Sequence, residues 1–71
     1  MVGWFPTIVE TYALRERAEA HAKLLGKYDV QAAVSASRAG VGWDVVVSAA
    51  QYPRAAKLTE AAKLTGELRI P

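Results

Sequence analysis

Hydrophobic and polar positions alternate on both sides of Gly40. From Asp29 to Ser37, Val30, Ala32, Val34 and Ala36 take one face, and Gln31, Ala33, Ser35 and Ser37 take the other. From Val41 to Ala49, Val41, Trp43, Val45, Val47 and Ala49 oppose Gly42, Asp44, Val46 and Ser48. Period two with β-branched enrichment reads as two half-buried strands, because successive side chains of a strand point to opposite faces. Arg38-Ala39-Gly40 between them supplies a glycine for positive φ and a charge to keep the tip wet. The pattern predicts a β-hairpin over 29–37 and 41–49.

Helical spacing flanks the hairpin. Ala13–Gly26 consists almost wholly of strong helix formers, with Leu14, Ala18, Ala22 and Leu25 on one stripe and Gly26 as the expected stop. A second helix is expected from Pro53, a good first-turn residue, to Gly66, with Ala55, Leu58, Ala62 and Thr65 as its stripe. Ala-Ala-Lys-Leu-Thr occurs twice in it, but a six-residue step turns the copies to different faces, so it is local bias and not a repeat.

The ends read as strands over 5–12 and 67–70, the former with an ambiguous buried face. The predicted order is β-α-β-β-α-β, an α+β ferredoxin-like fold. In that arrangement a four-stranded antiparallel sheet carries both helices on one face. Seventy-one residues make one domain, 1–71.

Composition removes several chemistries. There is no cysteine, so disulfides, thiolate metal sites and cysteine nucleophiles are excluded. The single histidine, His21, has no acidic residue four positions away, so it is expected to be structural or at the surface, and no metal or cofactor is expected. Trp43 shares parity with Val41, Val45 and Val47 and is expected to be the largest core side chain. Trp4 is either a cap on the core edge or a contact aromatic. No apolar run approaches a membrane span and no secretory signal is evident, so the expected location is cytoplasmic.

The element order and punctuation resemble the SPOR domain, a bacterial module that binds peptidoglycan glycan strands. The resemblance rests on Ala18-Glu19-Ala20-His21-Ala22-Lys23-Leu24-Leu25-Gly26 leading into Val30–Val34, and on Trp43-Asp44-Val45-Val46-Val47 before an Ala/Leu helix. Ser48-Ala49-Ala50-Gln51-Tyr52-Pro53 stands where that family often has a Gly-Pro-aromatic turn. The resemblance implies the same fold and, as an alternative function, glycan binding.

The residues themselves favour a non-catalytic protein-interaction module, with a second copy of the chain as one possible partner. Helices over the Val30/Val45 parity leave a smooth sheet face of Gln31, Ala33, Ser35, Ser37, Asp44, Val46 and Ser48, joined by Ile8, Glu10 and Tyr12. Tyr12, Ser35, Asp44 and Val46 are the expected binding residues, on the open face, with pairing at a sheet edge as the other route. Aromatics for base stacking are missing from the hairpin's part of that face, and the net charge is only +2, so nucleic acid is not an expected partner. No phosphate loop or paired carboxylates in a cleft point to an enzyme.

Overall fold

The computed structural model describes residues 7–37 and 40–66. Within them the chain runs β1 (Thr7–Tyr12), α1 (Arg15–Lys27), β2 (Ala32–Ala36), β3 (Trp43–Val47) and α2 (Tyr52–Thr65). The sheet is antiparallel and three-stranded, in the order β1-β3-β2. This corrects the expected four-stranded ferredoxin-like sheet: over the described residues the fold is a small α+β one with two helices and three strands. The strand expected at 67–70 lies outside the described residues, as do Trp4 and the Arg38-Ala39 tip. β3 carries the densest β-branched run, Val45-Val46-Val47, and takes the centre, where both of its edges are hydrogen bonded.

Both hairpin strands are shorter than their alternation suggests. β2 starts late because residues 28–30 are used to stop α1. The Asp29 N–H donates to the Gly26 carbonyl (3.1 Å) and the Val30 N–H to the Leu25 carbonyl (2.9 Å), a paired closure of the Schellman type. Its left-handed residue is Asp29, at φ 66°, so the helix runs past Gly26 and ends on an aspartate where glycine is usual. β3 starts at Trp43 because Gly42, at φ 93°, lies against the end of β1: a Cβ there would meet the Tyr12 carbonyl oxygen at 2.7 Å.

β1 contains an irregularity that the sequence does not announce. Ile8 pairs with Val46 while Glu10 pairs with Val45, so the register shifts by one residue around Val9. A bulge of this kind turns the rest of the strand over. Ile8 stays with Val46 on the face away from the helices, and Glu10 and Tyr12 move to the helix-covered face.

The core lies on that covered face. Tyr12, Val30, Val45 and Val47 pack with Ala18 and Leu25 of α1 and Ala55 of α2, and Val9, Ala22, Ala32, Val34, Trp43 and Leu58 close around them. Leu24 and Ala62 make a second contact, between the helices. Trp43 is half-buried, at the first position of β3, with the Arg15 guanidinium 5.2 Å from its ring centroid. The largest fully buried side chains are instead Leu25, His21, Val30, Val45 and Val47.

Candidate interaction surface

The four expected binding residues do not form one exposed patch. Ser35, Asp44 and Val46 share the face opposite the helices, and Ser35 is exposed. Asp44 and Val46 are buried, with 4% and 8% of their surface accessible, because they occupy the central strand between two neighbours. Asp44 accepts a hydrogen bond from the Thr11 hydroxyl at 2.7 Å, and Val46 sits between Ile8 and Ala33. Tyr12 is on the other face altogether, carried there by the bulge, and is buried.

Tyr12 belongs instead to a polar chain through the core. Its hydroxyl lies 2.9 Å from His21 Nδ1, and His21 Nε2 lies 2.8 Å from the Thr59 hydroxyl. The Tyr12 and His21 rings meet edge to face. His21 is fully buried and Thr59 nearly so. Three elements are thereby joined: β1, α1 and α2. Satisfaction of the hydrogens favours one tautomer, in which the Tyr12 hydroxyl donates to Nδ1 and Nε2–H donates to Thr59; a helical threonine can return its own hydrogen to the carbonyl one turn back. Among the described residues no buried side-chain polar atom is left unpaired.

Burial pushes the Tyr12 hydroxyl up to about 12, with nearby Glu10 adding to the shift. Burial also holds His21 below the ordinary imidazole value; Glu10 opposes that shift and Lys63 adds to it. Both groups are therefore held neutral. The sequence contains one signal for this chain: His21 follows Ala18 by three and precedes Leu25 by four, which is core spacing. Its partner Thr59 lies 38 residues away and carries no such mark.

Behind Thr59 a cleft of about 240 Å³ opens between β1 and α2, lined by Val9, Glu10, Ala56, Thr59, Glu60 and Lys63. Lys63 donates to Glu10 across it at 3.2 Å, an exposed pair. No group of three or more metal-ligating side chains exists among the described residues.

The two outer strands differ in a way that bears on partners. β1 carries the bulge and the Glu10–Lys63 pair, both of which discourage further strand pairing. β2 has neither. Its five residues, Ala-Ala-Val-Ser-Ala, are uncharged and regular, and its outer edge has no strand partner among the described residues. The Gln51 side chain accepts from the Gln31 N–H just before it, at 3.2 Å. Beside the start of β2 runs an open groove of about 550 Å³, lined by Ala22 and Gly26 of α1 and by Asp29, Val30, Gln31 and Ala32. The small side chains of α1 leave that space, and the left-handed Asp29 stands at its end.

The chain matches no protein-family model, no curated protein and no solved structure in the three comparisons made. No helix among the described residues is long and apolar enough to cross a membrane.

Proposed function

We propose that the protein is a non-catalytic interaction module that pairs through the outer edge of β2, with a second copy of the same chain as its partner. The observation that carries this reading is the contrast between the two sheet edges: one bulged and charged, the other regular and uncharged. Antiparallel pairing of two β2 strands about Val34 sets Ala32 opposite Ala36 and Ala33 opposite Ser35. Small side chains then meet small ones, and Val30–Ser37 brings no charge against a like charge. Backbone hydrogen bonds supply the attraction, as in other strand additions. A five-residue edge makes a small interface, so the association is weak and reversible.

Sedimentation equilibrium over a rising concentration series tests the reading. The wild type is expected to move reversibly from monomer to dimer. Ser35→Lys sets a charge beside the edge at an exposed position and is expected to hold the chain monomeric with an unchanged melting temperature. A wild type that stays monomeric throughout, or a Ser35→Lys variant that dimerises at full strength, overturns it. No observation on the described residues favours glycan binding over this reading.

A further inference from the structure

The Tyr12–His21–Thr59 chain does more than fill the core. We propose that it is an acid-released latch: a proton added to His21 frees α2 from the sheet while α1 and the three strands stay folded.

The geometry supplies the release. In the neutral chain, with the tautomer that satisfies the hydrogens, Nδ1 accepts from Tyr12 and Nε2–H donates to Thr59. A second proton converts Nδ1 into a donor that points at another donor. The Tyr12 hydroxyl must then turn to accept, and its own hydrogen is left without an acceptor inside the core, which buried polar groups rarely tolerate. An imidazolium is also taken out of water in a site that is fully buried.

The weakest attachment around this site is that of α2. α1 anchors itself with Ala18, Leu24 and Leu25, and β3 with Val45 and Val47. α2 buries only Ala55, Thr59 and Ala62, with Leu58 half-buried beside them. Among the described residues, Thr59 to His21 is its one buried side-chain hydrogen bond to the rest of the molecule; its others, from Arg54 and Lys63, are exposed. Release of α2 lets water reach His21 without dismantling the sheet.

The charges around the site divide: with α2 docked, Lys63 disfavours an imidazolium and Glu10 favours it. β1 contributes Tyr12 and Glu10, α2 contributes Lys63 with Glu60 on the same cleft, β3 presents valines, and Arg17 lies one turn back on α1. With α2 docked, Lys63 occupies the Glu10 carboxylate. When α2 leaves, Lys63 leaves with it, and Glu10 becomes available to the imidazolium. Opening is thus favoured by the proton through the hydrogen bonding lost inside and through the departure of the Lys63 charge.

Amide hydrogen exchange of the wild-type chain, corrected for intrinsic rates, tests the latch. An open-state histidine with the ordinary value of 6.5 raises the opening constant of α2 about tenfold between about pH 7.5 and 5.5, a span above ordinary carboxylate titration. Interior amides of α2 should lose about that factor of protection while those of β3 keep theirs. Unchanged α2 protection overturns the latch, and so does β3 losing protection in step, which is global unfolding. His21→Leu should abolish the pH dependence in α2, and its persistence refutes the role of His21. Should that variant fail to fold, nitrogen spectra of the wild-type ring decide: bare Nδ1 with Nε2–H at neutral pH is expected, and the opposite tautomer refutes the mechanism. The dimerisation test does not depend on this outcome, so the two proposals fail separately.

Discussion

Truncating Leu25 should cost more stability than truncating the much larger Trp43. Leu25 is fully buried between α1 and the sheet and meets Val30 where the helix stops. Removing its isobutyl group loses the transfer energy and leaves a cavity, about 3–4 kcal/mol for a site with no exposed surface to collapse from. Trp43 is half-buried, so its truncation forfeits only part of the usual tryptophan cost, plus about 0.5 kcal/mol from the Arg15 contact at the surface: about 2 kcal/mol in all. A chain of 71 residues has about 4–11 kcal/mol of total stability, so either change is measurable, and Leu25→Ala approaches unfolding. At about 4–8 °C per kcal/mol for a domain of this size, Leu25→Ala lowers the melting temperature by about 12 °C or more. Urea denaturation followed by far-ultraviolet circular dichroism compares the two without relying on the tryptophan signal. A Trp43→Ala variant that loses more than Leu25→Ala refutes the assignment of the core centre to the α1–β3 contact.

Three further outcomes follow from the backbone and from Tyr12. Gly42→Ala should destabilise by more than about 2 kcal/mol, because it combines a left-handed backbone with a Cβ against the Tyr12 carbonyl; a melting curve like that of the wild type contradicts it. Asp29→Gly should stabilise by up to about 1 kcal/mol by relieving the left-handed aspartate, and a lower melting temperature would show that its side chain matters more than its φ. The Tyr12 hydroxyl is raised from 10 to about 12 in the folded chain, so its contribution is complete below pH 10 and is lost as pH rises from 10 to 12. Tyr12→Phe should flatten that alkaline decline in denaturation midpoints, and an unaltered decline argues against a buried hydroxyl.

The hairpin was legible because nothing interrupts its alternation: β2 and β3 pair in one continuous register from Ala32–Val47 to Ala36–Trp43. Helix composition likewise located α1 and α2 to within two residues. The stop of α1 was misread because glycine is the usual left-handed residue, and here Asp29 does that work three positions later. Tyr12 was misplaced for a different reason. Alternation assumes one residue per pleat, and the extra residue at Val9 has no compositional mark, since valine suits a regular strand equally well. The Tyr12–His21–Thr59 chain was hidden by the same error, as a tyrosine assigned to the open face cannot be matched to a histidine under the helices. An edge that stays unpaired depends on strand order, which alternation does not encode.

The shift at Val9 divides β1 into two halves that obey opposite rules of substitution. Thr7 and Ile8 keep one phase with β3, and Glu10 to Tyr12 keep the other. Deleting Val9 would leave every pair with β3 in place as an unbroken ladder, and its cost would be the Val9 side chain that packs against the core. Ile8 and Thr11 would stay on the open face, and Glu10 and Tyr12 would stay under the helices. A deletion at Val9 is therefore absorbed, whereas a deletion inside the regular β2 would turn the rest of that strand over. A mutational scan of β1 should show tolerance alternating along each half and reversing its beat between Ile8 and Glu10.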